Sequence, residues 1–98
     1  MSFISHAQNV FTEAGILASA PRGSGVYGIF NASEWIYIGE AGDMEARLLD
    51  HFRGNSDQSP RIRKRNPTGF ICENSPAQTR VLRELALIRE LNPSCNRT

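Results

Sequence analysis

The chain has 98 residues, with 11 Lys and Arg against 10 Asp and Glu, a net charge of +1 and 40% hydrophobic residues. That is one domain, 1–98, with no room for a second core, so any specificity module is expected elsewhere. The charge balance excludes a surface that attracts polyanions over its whole area, and no run approaches the roughly 20 apolar residues of a membrane span.

The first ten residues have no basic stretch leading into an apolar run, so no secretory signal is expected and the protein reads as soluble and cytoplasmic. Ala7, Val10, Phe11 and Ala14 fall at helical spacing, with Ser5 and Gln8 placed as a capping box and Gly15 as a stop. A short amphipathic helix is therefore predicted over 5–14. The stretch from Ala18 to Ser24, rich in Pro, Gly and Ser, is a connector. Residues 1–20 are thus helix and connector, and 25–96 carry the rest of the fold.

GVYGIF, from Gly25 to Phe30, and EWIYIG, from Glu34 to Gly39, are β-branched and aromatic, and Asn31, Ala32 and Ser33 separate them as a hairpin loop. If Phe30 pairs with Glu34 across that three-residue loop, Tyr27 falls opposite Tyr37. A four-residue loop would put the two phenols on opposite faces.

Asp43 is placed as the N-cap of a helix with the apolar stripe Met44, Leu48 and Phe52, stopping at Gly54. Arg47 and His51 lie one turn apart at the edge of that stripe. Residues 55–67 are polar with two prolines, and a loop or short turn of helix is expected. Thr68 to Glu73 reads as a third short strand. Ser75 and Pro76, with Gln78 completing a capping box, then open a long helix that Asn92 and Pro93 end. The expected class is α/β (α+β), a small three-stranded sheet built on the hairpin and flanked by helices.

Glu84 is the most informative residue. Val81, Leu85, Ile88 and Leu91 form an apolar arc of the last helix, and Glu84 falls inside it. An inward carboxylate is costly unless it pairs with an arginine or binds a metal, and both readings stand. Arg47 and His51 are either a solvated helix edge or a phosphate-matched donor fork beside a group that titrates near neutrality. Tyr27 and Tyr37 are either packing residues or working phenols. Cys72 and Cys95 lack the spacing of a zinc site and read as free thiols of a reducing compartment.

Gly25-Val26-Tyr27, then Tyr37-Ile38-Gly39 ten residues on, then Arg47 in a helix, a helical Glu84 and Asn96 after Pro93, together resemble the GIY-YIG nuclease motif. It is found in the N-terminal nuclease half of bacterial excision-repair endonucleases and, in part, in homing endonucleases. The match spans Gly25 to Asn96, and Gly25 and Gly39 are its glycines. The resemblance implies hydrolysis of DNA phosphodiester bonds with one divalent cation, Mg2+ or Mn2+, held by Glu84. It implies that Arg47 binds the scissile phosphate and that a tyrosine activates water, Tyr27 being favoured and Tyr37 serving the phosphate or the metal-bound water. A phenol used as a base would need its pKa lowered by nearby cations. His51 stands where relatives carry histidine or tyrosine, and Asn96 supports the site.

One departure is Glu40, where excision-repair relatives usually carry lysine. A carboxylate there raises a tyrosine pKa unless His51 compensates or Glu40 faces away. Beside such a site the run Arg61, Arg63, Lys64 and Arg65 becomes, with Arg47 and Arg53, a candidate DNA-backbone contact. The expected partner is DNA, in repair or a mobile element, with a protein partner or attached module supplying specificity. A catalytically weak DNA-binding domain acting with a partner is the alternative to an active endonuclease, and a purely structural domain is the third reading.

Overall fold

The computed structural model describes residues 3 and 7–96. Four antiparallel strands form one sheet in the order β1-β4-β2-β3, where β1 is Asn9–Val10, β2 Gly25–Phe30, β3 Trp35–Ala41 and β4 Gly69–Asn74. The helices are α1 Glu13–Ser19, α2 Met44–Arg53, α3 Ser59–Lys64 and α4 Arg80–Leu91. The class is the expected mixed α/β, with four strands in place of three. The extra strand is two residues long, below what a side-chain alternation can announce.

Side chains alternate across the central strand β2. Tyr27 and Ile29 join Phe11, Ile16, Met44, Leu48, Ile62 and Phe70 in a core shared with α1, α2 and α3. Val26 joins Ile38, Ile71 and Leu87 of α4 in a second cluster. The sheet is thus covered by three short helices on one face and α4 on the other.

The hairpin register differs from the three-residue-loop reading. Phe30 pairs with Trp35, a four-residue loop, but a bulge follows and Ile29 pairs with Tyr37. Ile36 is the additional residue, and it restores the phase that the longer loop would have reversed. Tyr27 therefore faces Gly39, not Tyr37, yet the two tyrosines share a face, with ring centroids 6.4 Å apart.

Of the helix over 5–14, Ser5 and His6 lie outside the described residues. The remainder is corrected: residues 9–10 are a strand, Val10 pairs with Gly69, and the helix begins after Thr12, whose hydroxyl accepts from Gly15 N–H. Gly15 sits inside α1 instead of stopping it. The helix from Asp43 forms as expected, its carboxylate accepting from Ala46 N–H and Gly54 closing it in the left-handed region at φ 83°. Residues 59–64 form α3, a longer helix than the single turn allowed for. The last helix starts at Arg80, four residues past Pro76, whose carbonyl takes the N–H groups of Thr79 and Arg80, and the Ser75 to Gln78 capping box does not form. Asn92 ends it in the left-handed region.

Candidate active site

Tyr27 and His51 define the floor of the site. The Tyr27 hydroxyl and His51 Nε2 are 2.7 Å apart, and the residues are 1% and 0% exposed. Gly39 makes room for this arrangement: a Cβ there would collide with the Tyr27 hydroxyl and press on the Tyr37 ring. At Gly25 a Cβ would run into the Glu73 carbonyl and the Met44 side chain. Both motif glycines therefore serve close approach of neighbours. Tyr37 is half-buried on the edge strand and packs edge-on against the His51 ring at 5.2 Å.

His51 sits above a serine pair. Its Nδ1 is 2.7 Å from Ser56 Oγ, which is 2.7 Å from Ser59 Oγ, and Ser59 in turn reaches the His51 carbonyl at 3.1 Å. Arg47 donates to Gln58 Oε1 at 3.2 Å, and its charge acts on Tyr27. Ser56, Gln58 and Ser59 come from a stretch that the sequence presents as a polar loop.

The electrostatics correct two expectations. Burial, reinforced by Tyr37 and outweighing the Arg47 cation, raises the Tyr27 pKa, so cationic neighbours do not give a resting phenolate. Burial and then Arg47 push His51 down to about 4, so it is a neutral imidazole at pH 7 instead of a group titrating near neutrality. Tyr37 is raised by burial and then by Glu84, against lowering by Arg47 and Arg61.

Glu84 projects from the sheet-facing side of α4 and is half-buried. That side is centred on Leu87, with Arg80, Arg83, Ile88 and Leu91 partly covered, whereas Val81 and Leu85 of the expected arc are 50% and 53% exposed. Arg83 is held by Glu73 through two contacts of 2.6 and 3.1 Å. Arg80 is held by Glu40 at 2.5 Å and by Ser24 Oγ at 3.1 Å. Among the described residues Glu84 itself has no ion pair, so the arginine-partner reading fails. Burial and then the Glu40 charge raise its pKa, against a smaller lowering by the Glu40 backbone, and the Glu84 charge is felt at both phenols. Glu40 does not face away: it borders the site, with its charge paired to Arg80.

No group of three or more His, Cys, Asp or Glu side chains gathers among the described residues. A cation would rest on the unpaired Glu84, with water and phosphate oxygens completing the shell, an arrangement that fits magnesium. Among the described residues Asn96 hydrogen-bonds backbone. Its side-chain amide accepts from Ile38 N–H at 2.8 Å and donates to Ile38 O at 2.9 Å, continuing the sheet beside β3 between Tyr37 and Gly39.

The basic residues differ in their partners. Arg61 acts on Tyr37, Arg63 donates to the Phe52 carbonyl at 3.1 Å, Arg65 lies 3.6 Å from Glu34 and Arg53 pairs with Glu13 at 3.1 Å. Lys64 is exposed. A cleft of about 290 Å³ lies at the hairpin turn beside Asn31 and Trp35. None of Tyr27, Tyr37, Arg47, His51 and Glu84 lines it. No helix is long and apolar enough to cross a membrane among the described residues.

No protein-family model matches the chain. No curated protein matches it either. Solved structures do. The GIY-YIG N-terminal endonuclease domain of UvrC from Thermotoga maritima, bound to its catalytic divalent cation magnesium, superposes with a TM-score of 0.73 at 23% identity, covering 87% of this chain and 96% of that one. A tyrosine-to-phenylalanine point mutant of the same domain gives 0.69 at 25% identity over 81% and 88%. An asparagine-to-alanine mutant gives 0.66 at 24% over 85% and 92%. With the hairpin tyrosines, the helical arginine and the inward glutamate set in that frame, the chain carries the GIY-YIG nuclease-domain fold.

Proposed function

We propose that this domain is a metal-dependent DNA endonuclease. The observation that carries the reading is the unpaired, half-buried Glu84 on the same end of the sheet as Tyr27, Tyr37, Arg47 and His51. A half-buried carboxylate without a cation carries part of the cost of burying a charge, and a divalent ion would offset it. The similar UvrC domain is bound to magnesium, which supports a divalent cation as the partner of this domain. When bound, the cation would stabilise charge on the phosphate and on the leaving 3′-oxygen.

The chain's own residues divide the remaining work. Arg47, steadied by Gln58, presents a planar donor fork to the scissile phosphate. Tyr27 takes a proton from the attacking water while passing its own to His51 Nε2, so that no free phenolate forms in the buried site. Tyr37, half-exposed between the fields of Arg47 and Arg61, hydrogen-bonds the phosphate or the metal-bound water. Asn96 holds the backbone of Ile38 and thereby the strand that carries Tyr37. Arg61 with Lys64 adds non-specific backbone contact, and a partner or attached module supplies specificity.

Plasmid nicking tests the reading. Supercoiled DNA should be converted to open circle with Mg2+ or Mn2+ and not with EDTA. A second reading, a weak enzyme that mainly binds DNA, draws on Glu40, which raises the pKa of both Glu84 and Tyr37. Filter binding without metal, strong in the absence of any nicking, would favour it.

A further inference from the structure

Hydroxyl protons in the buried chain behind Tyr27 have only one arrangement that satisfies every group. Ser59 Oγ lies 3.1 Å from the carbonyl oxygen of His51 and 3.4 Å from that of Asp50. Carbonyls only accept, so the single Ser59 hydroxyl proton goes to them. The Ser59 oxygen is left to accept, which it does from Ser56 N–H at 3.2 Å and from the Ser56 hydroxyl at 2.7 Å. With its proton committed to Ser59, Ser56 offers His51 Nδ1 only a lone pair across 2.7 Å. Nδ1 must then carry the imidazole proton, and Nε2 faces the Tyr27 hydroxyl as an acceptor.

The far end of the chain agrees independently. The Arg47 cation acts on the Tyr27 oxygen, which favours that oxygen as an acceptor and leaves the phenolic proton free to point at His51. Ser56 and Ser59 are buried, at 9% and 1% exposure, which keeps water from offering either hydroxyl an alternative partner. The opposite direction would leave the His51 carbonyl without this donor.

We infer that Ser56 and Ser59 are positioning residues that fix His51 as the Nδ1–H tautomer, aiming the Nε2 lone pair at Tyr27. Neither touches substrate. Their effect is on the direction of proton flow: a proton from water to the Tyr27 oxygen, the Tyr27 proton to Nε2, and the resulting imidazolium still donating from Nδ1 to Ser56. The groups that face His51 are Tyr27 from β2, Tyr37 from β3, Arg47 from its own helix and the two serines from the α2 to α3 turn and α3. Arg47 is the only charged one of these, and it opposes protonation of the ring, so the serine pair, not a carboxylate, sets the tautomer.

The catalytic consequence rests on the endonuclease reading; the tautomer does not. Nitrogen-15 correlation spectra of the wild-type protein, without DNA or metal at pH 7, should show His51 with Nδ1 protonated and Nε2 bare. Ser56→Ala should shift it to the Nε2–H or a mixed form, and Ser56→Thr should restore Nδ1–H by returning a hydroxyl. In cleavage, Ser56→Ala should lower kcat by about 10-fold or more with KM unchanged, general acid–base contributions being about 10² to 10⁴-fold. A wild-type spectrum with Nε2–H overturns the inference even if Ser56→Ala fails to fold. So does a Ser56→Ala spectrum identical to wild type. Absence of cleavage with the Nδ1–H spectrum present would sink the nuclease reading and leave the tautomer assignment standing.

Discussion

The Tyr27 hydroxyl meets His51 Nε2 at 2.7 Å with both side chains closed off from solvent. In the resting site the imidazole, closed off from water and beside the Arg47 cation, resists protonation from solvent, and this links the site to stability.

The unfolded chain takes up a proton at His51 below about 6.5, whereas the folded chain holds off until about 4. Between those values the unfolded state binds more protons, so stability falls as pH drops from about 6.5 to 4. A shift of that size corresponds to about 3 kcal/mol. Urea unfolding at pH 7.5 and 4.5 should show this loss in the wild type and a flatter dependence in His51→Gln. Equal pH slopes in the two proteins would contradict it.

Arg47→Lys should reduce cleavage by about 10²-fold, in the range for losing a transition-state donor, because a point charge cannot reproduce the fork. Gln58→Ala should weaken the same step less, since Arg47 keeps Asp50 at 3.9 Å as a neighbour. Single-turnover cleavage is the measurement. Wild-type rates in Arg47→Lys would return Arg47 to the helix-edge reading.

Glu40 holds Arg80, which lies one helical turn from Glu84 on the same side of α4. In Glu40→Gln the freed guanidinium should turn toward Glu84 and weaken magnesium binding a few-fold, a pair at this exposure contributing about 1 kcal/mol or less. Adding Arg80→Ala should restore much of the affinity. A magnesium titration by calorimetry that shows unchanged affinity in Glu40→Gln would rule out this role.

Arg61 is the member of the basic run whose charge reaches Tyr37. Arg61→Ala should weaken DNA binding on every sequence and reduce the slope of log K against log salt by about 0.9. Arg65→Ala, removing a residue held by Glu34, should change the slope little. Equal effects from both would point to a single continuous patch.

Parts of this architecture were legible because their causes are local. Asp43 and Gly54 bracket α2 through caps that involve only neighbouring residues. Glu84 was found from helical periodicity, although Val81 and Leu85 are exposed and the true contact face is completed by Arg80 and Arg83, whose partners Glu40 and Glu73 lie on strands. Long-range pairing hid the rest. Val10 has helical spacing from its neighbours but is drawn to the sheet edge by Gly69. The bulge at Ile36 rescued a tyrosine arrangement that loop length alone would have reversed. Ser56, Gln58 and Ser59 were invisible as site residues because polar side chains in a stretch between Gly54 and Pro60 usually face water. Only the fold shows them turned under His51 and Arg47.

The central claim is that Glu84 holds the cation on which cleavage depends. A labelled DNA duplex incubated with Mg2+ should be cut by the wild-type protein and not detectably by Glu84→Ala. The variant should unfold at nearly the same urea concentration as the wild type, since no ion pair is lost. Cleavage by Glu84→Ala at the wild-type rate would contradict the account, as would a large loss of stability in a variant that still cuts.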